Sequence, residues 1–231
     1  MLLLLFDIDG TLVTGATEAH REALHAALRE AHGVEAPEAL RPSVHPAGRT
    51  DGEIARLMLL QAGISAREID DGADAVREAC CREYAHLCPP DLSHTVLPGI
   101  PELLDSLSTD GRFALALLTG NFEPIARLKL ARAGIGKDFP SGQGAFGSDS
   151  EDRSELPAIA RRRAGEDGMP HPRERTIVIG DTPLDIACAR ADGVRCVAVA
   201  TGPYGVEGLS DADAVAADAG ELGRVLGELA R

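Results

Sequence analysis

The sequence predicts an α/β fold: a doubly wound, Rossmann-like parallel sheet core with an inserted all-helical cap domain. Three observations predict it. Short apolar runs recur without polar alternation and end in Gly or Asp, as strands covered on both faces of a parallel sheet require. Helix-like stretches separate these runs, in the βα rhythm of a doubly wound layer. The stretch from Thr14 to Val96 breaks the rhythm, with amphipathic helical patterns and no strand-like run.

In chain order, Leu2 to Phe6 is the first strand. No basic segment precedes it, it is too short for a secretory apolar region, and it runs straight into Asp7 and Asp9, so it reads as a buried strand and not a leader. A helix over Thr17 to Ala31 follows. Two more helices open at Thr50-Asp51-Gly52-Glu53 and Ser65-Ala66-Arg67-Glu68, both in the capping-box form, and the second runs towards Leu87. Pro89-Pro90 and Pro98-Gly99 mark the return to the layered rhythm. From there strands are expected at Phe113 to Leu118, Thr176 to Ile179 and Val194 to Val199, with weaker edge strands at Gly144 to Gly147 and Ala214 to Ala216. Helices are expected over Glu102 to Leu107, Ile125 to Ala133, Glu155 to Ala164 and Asp185 to Ala191. Pro124 and Pro183 suit first helical turns, and Gly134, Gly165 and Gly193 suit C-terminal caps. The expected division is a core of residues 1–13 and 97–231 and a helical cap of residues 14–96.

Composition narrows the function. Of 231 residues, 37 are acidic and 23 basic, a formal charge of −14. That balance argues against nucleic acid and against an anionic membrane surface. With no Trp and 3% aromatic residues, the chain is also poorly equipped to stack on single-stranded bases. No apolar run approaches the roughly 20 residues of a membrane span. The five cysteines (Cys80, Cys81, Cys88, Cys188 and Cys196) are odd in number and have no zinc-site spacing, so they read as reduced thiols of a cytoplasmic protein. His20, His25 and His32 are spaced poorly for a shared metal and are expected at the surface. Arg161-Arg162-Arg163 reads as a solvated helix end, and Asp211, Asp213 and Asp218 as surface acids.

The chemistry gathers at strand exits. Asp7-Ile8-Asp9-Gly10-Thr11 leaves the first strand, and Gly10 permits a turn that aims both carboxylates into one crevice. Two such groups can divide labour as nucleophile and as general acid and base, although a solvated acidic turn is the alternative for this segment alone. Leu117-Leu118-Thr119-Gly120-Asn121 offers a hydroxyl, a glycine amide and a carboxamide to phosphate oxygens. In Gly180-Asp181-Thr182-Pro183-Leu184-Asp185 the two aspartates stand one helical turn apart and can face the same place. Each is compatible with an ordinary turn and helix cap; three on the carboxyl edge of one sheet, where such folds bind ligands, point to a site.

The ordered set DIDGT, LLTGN and GDTPLD resembles three motifs of the haloacid dehalogenase-like hydrolases, with the helical insertion in the position of that family's C1-type cap. The second aspartate of the first motif favours phosphatases and phosphomutases over dehalogenases. The resemblance implies that Asp7 attacks phosphorus to form an aspartyl-phosphate, and that Asp9 protonates the leaving alcohol and then activates water. It implies Mg²⁺ held by the Asp7 carboxylate, the Asp9 main-chain carbonyl and Asp181, an oxygen set suited to a hard cation, with Asp185 acting from behind. Gly10, Thr119, Gly120 and Asn121 are implied in phosphate binding. The family's third motif is normally a lysine. The chain has two, Lys129 and Lys137, but Arg153 in Glu151-Asp152-Arg153-Ser154 lies where that motif belongs and is assigned the role, with Lys137 in reserve.

The resulting expectation is a Mg²⁺-dependent phosphohydrolase of a small phosphorylated metabolite, similar to phosphoglycolate phosphatases. A phosphomutase resembling β-phosphoglucomutase and a non-catalytic binding protein of the same fold are the alternatives. Arg49, in His45-Pro46-Ala47-Gly48-Arg49-Thr50, is expected either to descend on the substrate's non-reacting end or to pair with Asp51 or Glu53.

Overall fold

The computed structural model describes residues 1–35, 37–43 and 45–231. Strand β1 (Leu2–Phe6) sits at the centre of a six-stranded sheet with β2 (Phe113–Thr119), β3 (Ala145–Phe146), β4 (Thr176–Gly180), β5 (Arg195–Val199) and β6 (Ala214–Ala216). The order is β3-β2-β1-β4-β5-β6 and every pairing is parallel. The strand order therefore reverses direction at β1, which opens a crevice above its carboxyl end between β2 and β4.

Both sheet faces are buried, which explains the unbroken apolar strands. Leu2, Leu4 and Phe6 point to one face with Leu117, Ile177 and Val197, under α4 (Ile100–Thr109), α5 (Glu123–Arg132) and α8 (Ala219–Leu229). Leu3 and Leu5 point to the other with Leu118 and Val178, under α6 (Leu156–Arg163) and α7 (Pro183–Asp192). Each buried Leu or Ile contributes about 1.5–3 kcal/mol relative to exposure. Prolines occupy the first turns of α4 to α7, where a missing amide hydrogen costs no hydrogen bond.

Between β1 and α4 lie α1 (Glu18–His32), α2 (Asp51–Gln61) and α3 (Ala66–Leu87). The two chain crossings into this helical segment run side by side: Thr14 donates to the Thr95 carbonyl at 2.8 Å and Leu97 to that of Leu12 at 3.0 Å. Ser65 forms the full capping box with Glu68. Thr50 forms half of one: its hydroxyl accepts from the Glu53 amide at 3.1 Å, but the Glu53 carboxylate turns to Arg49 instead.

Two surface expectations are corrected here. His20 and His25 are buried, because α1 is covered by α3 and also faces the crevice. Arg161 is buried too, its guanidinium forked onto Asp192 at 2.5 and 2.9 Å. Asp218 caps α8 by accepting from the Glu221 amide at 2.9 Å. Cys80, Cys88, Cys188 and Cys196 are buried and Cys81 partly so, all unpaired. Among the described residues no helix is long and apolar enough to cross a membrane.

Candidate active site

Asp7 is the first residue beyond β1, and its amide still bonds the Ile179 carbonyl at 2.9 Å, so the neighbouring strand fixes its backbone. The chain then turns tightly, with Gly10 donating to the Val13 carbonyl at 2.8 Å. Gly10 has φ +86°, and a Cβ there would collide with the Asp181 carboxylate, so two separate requirements select glycine. Thr11 donates to Asp181 Oδ1 at 3.1 Å. The turn after β1 and the residue that follows β4 are thus locked together.

Asp7, Asp181 and Asp185 are buried, and their nearest oxygens lie within 4.8 Å of one another. Burial, opposed by Arg153 and reinforced by the Asp185 charge, raises the Asp7 pKa to about 6. Burial, with the charges of Asp7 and Asp185, pushes Asp181 up to about 8. Asp185 is already engaged: it pairs with Arg153 through Oδ1 and accepts from the Thr182 amide at 3.0 Å and hydroxyl at 2.7 Å through Oδ2. That leaves Asp7 and Asp181 as under-compensated hard oxygen donors, a set that fits Mg²⁺.

Arg153 occupies the short turn Arg153–Glu155 ahead of α6. Its Nη2 lies 3.3 Å from Asp7 Oδ2, and the same nitrogen bonds Asp185. Its Nε is buried with no hydrogen-bond partner among the described residues. Lys137 stands exposed in the turn Gly136–Asp138 and does not line the crevice.

Lys129 was not expected here. It is fully buried on α5, and its ammonium meets both Asp9 oxygens at 2.8 and 2.7 Å and Asn121 Oδ1 at 2.9 Å. The Asn121 amide also donates to Asp9 at 3.1 Å. Burial opposes ionisation of Asp9, but the charge and hydrogen bonds of Lys129, aided by His20 and Asn121, hold its pKa below the ordinary value. A signal existed. Ile125, Ala126, Lys129 and Leu130 share the buried stripe of α5, so a lone lysine interrupts an apolar face.

Thr119 is buried at the end of β2, with its hydroxyl accepting from the Asn121 amide at 3.3 Å. Gly120 is where the cap meets the core. A Cβ on it would strike the Arg49 carbonyl, and its own carbonyl accepts from the Asp51 amide at 2.8 Å. Asp51 Oδ2 accepts from the Phe122 amide at 2.7 Å and lies 3.0 Å from His20 Nε2. Thr50 donates to the Glu151 carbonyl at 2.7 Å, and Arg56 pairs with the Glu151 carboxylate. The N-terminus of α2 is therefore seated on the loops that carry Gly120 and Arg153.

These groups enclose a cavity of about 640 Å³. Asp7, Asp9, Gly10, Thr119, Gly120, Asn121, Arg153 and Asp181 line its floor and Arg49 its rim; Asp185 stands behind the floor. Arg49 pairs with Glu53 and donates from Nε to the His45 carbonyl at 3.0 Å. Buried carboxylates with raised pKa values beside the Arg153 guanidinium equip the floor to take a phosphate ester with a divalent cation.

Residues 4–190 match the family described as haloacid dehalogenase-like hydrolase. The chain is 31% identical to a phosphoglycolate phosphatase of Rhodospirillum rubrum, over 96% of this chain and 90% of that protein. It is also 31% identical to the tyrosine-protein kinase PtkA of Mycobacterium tuberculosis, over 88% of this chain, and spans 63% of that protein's length. Among solved structures it resembles CbbY from Rhodobacter sphaeroides in complex with phosphate, with a TM-score of 0.64, 22% identity and coverage of 96% and 97% of the two chains. At that identity the likeness is one of fold.

Proposed function

We propose, for a chain that belongs to the haloacid dehalogenase-like hydrolases and is a phosphatase, that it cleaves a small phosphate monoester through an aspartyl-phosphate on Asp7 and depends on Mg²⁺. The observation that carries the reading is the buried group of Asp7, Asp181 and Arg153 under the seated cap. Asp7 and Asp181, with the Asp9 main-chain carbonyl, are the residues that would hold Mg²⁺. Bound there, the ion would offset the charge of the phosphate and of the nucleophile.

The chain's own groups divide the remaining work. The Asp7 carboxylate attacks phosphorus as the bond to the leaving oxygen breaks. Asp9 hands that oxygen a proton, takes one from the incoming water, and the water returns the phosphoryl group as inorganic phosphate with Asp7 restored. The Arg153 guanidinium and the Thr119 hydroxyl bind phosphoryl oxygens, as do the Gly10, Gly120 and Asn121 groups. Asp185 fixes Arg153 from behind. The seated α2 turns residues 14–96 into a cover that excludes water from the ester. The paired crossings at Thr14–Thr95 and Leu12–Leu97 support that boundary against a core of residues 1–13 and 97–231.

The direct test is phosphate release from a panel of monoesters with and without Mg²⁺. Turnover that needs Mg²⁺ and no bisphosphate primer supports the reading, and a primer requirement would make the enzyme a mutase. Lys129 gives a second expectation. Lys129→Met is expected to lower kcat/KM by about 10²-fold. The alkaline limb of its kcat/KM profile, where Asp9 must still hold the proton it donates, should move upward, because Asp9 loses the cation that holds its pKa down. An unmoved limb would leave Lys129 a packing role only.

A further inference from the structure

The upper wall of the cavity differs in kind from its floor. Val13, Leu24, Ile54, Met58 and Pro203 give the cavity apolar surface, with Thr14, Thr17, His20, Arg21 and His25 among them. The two arginines on that side are already neutralised: Arg49 by Glu53, and Arg21 by Glu18 at 2.8 Å. His20 faces Asp51. A second anionic group on the substrate would therefore meet the carboxylates of Glu18 and Glu53 behind the two arginines and of Asp51 behind His20, and would have to displace one of them. The Thr14 and Thr17 hydroxyls also line the cavity, and neutral donors of this kind suit an uncharged oxygen.

Size points the same way. A volume of about 640 Å³ falls in the middle of the range that encloses drug-sized ligands. The start of α2 already rests on the core, through the Asp51–Gly120, Asp51–Phe122 and Thr50–Glu151 bonds, so this is the volume with that contact made. A two-carbon acid ester would leave most of it as water against Leu24, Ile54 and Met58.

We propose that the cavity selects the monophosphate ester of an uncharged alcohol with an apolar portion of ring size or larger, in preference to esters that carry a carboxylate or second phosphate. The inference rests on the phosphatase reading for its turnover, and on the wall alone for its binding. The reaction consumes one ester and one water and releases the alcohol and inorganic phosphate.

Two measurements separate these. Binding of benzylphosphonate and 3-phosphonopropionate, which keep the phosphoryl group but cannot be hydrolysed, is measured by calorimetry on the whole protein with Mg²⁺. The first is expected to bind about tenfold more tightly or better, from the apolar surface it buries. Equal affinities, or the reverse order, overturn the proposal. Ile54→Lys, at a half-buried wall position, should weaken the first ligand and strengthen the second, and an unchanged order in a folded variant also counts against it. In parallel, kcat/KM is compared for phenyl phosphate and phosphoglycolate. If neither ester is turned over while the phosphonate order holds, the phosphatase reading fails and the wall assignment stands. If phosphoglycolate is preferred, the wall assignment fails and the phosphatase reading stands.

Discussion

Asp7→Asn is expected to lower kcat by about 10⁴-fold or more, because an amide cannot accept the phosphoryl group. The fold should survive. The substitution keeps the side-chain shape and removes a charge whose burial already raises the Asp7 pKa to about 6. The Asp7 amide bond to Ile179, at 2.9 Å, involves only backbone. The variant should therefore melt at or above the wild-type temperature while failing to release phosphate. A variant that turned over within tenfold of wild type would remove Asp7 from the mechanism.

The second large effect is expected at Asp181, and it couples stability to activity. Its folded pKa is raised from 3.8 to about 8, so the native protein holds a proton that the unfolded chain gives up across that window. Stability of the metal-free protein should then fall as pH rises from about 4 to about 8, with Asp7 adding to the effect. A divalent cation opposes the fall by taking the place of the protons, so Mg²⁺ should raise Tm more at pH 8 than at pH 5. Asp181→Asn removes the charge and keeps the contact with Thr11. It should melt above wild type at pH 8 without metal, gain little from Mg²⁺, and lose about 10³-fold or more in kcat/KM. Melting curves that coincide with wild type at both pH values, with an unchanged Mg²⁺ requirement, would rule Asp181 out as a ligand.

The fold was legible because its strands obey one simple rule. A strand covered on both faces has no polar side, so Leu2–Phe6 and Thr176–Gly180 appear as plain apolar runs whose ends fall at the chemistry. Arg153 was placed from its position ahead of a helix, and it stands 3.3 Å from Asp7. Features that depend on which distant segments meet were not legible. Asp51 sits 71 residues from Phe122 and 31 from His20, and only the seating of α2 on the core brings them together. Arg161 finds Asp192 in the same way, across 31 residues. Lys129 is different: its local signal is present on the apolar face of α5, but it lies away from the segment where the third motif belongs. A buried lysine needs a carboxylate, and Asp9 supplies it. Helix α8 likewise carried its own start signal, Asp218 with Glu221 three residues on, which a reading of Asp218 as a surface acid passed over.

The claim beneath all of this is that the phosphoryl group passes through Asp7, and it can be caught there. The enzyme is mixed with an aryl phosphate and Mg²⁺, quenched in acid, reduced with borohydride, digested and sequenced by mass spectrometry. An acyl phosphate is reduced to the alcohol, so homoserine should appear at position 7 in place of aspartate. It should require both substrate and Mg²⁺, and be absent from Asp7→Asn. Turnover with no reduced residue at position 7, or with homoserine at another aspartate, would contradict the account.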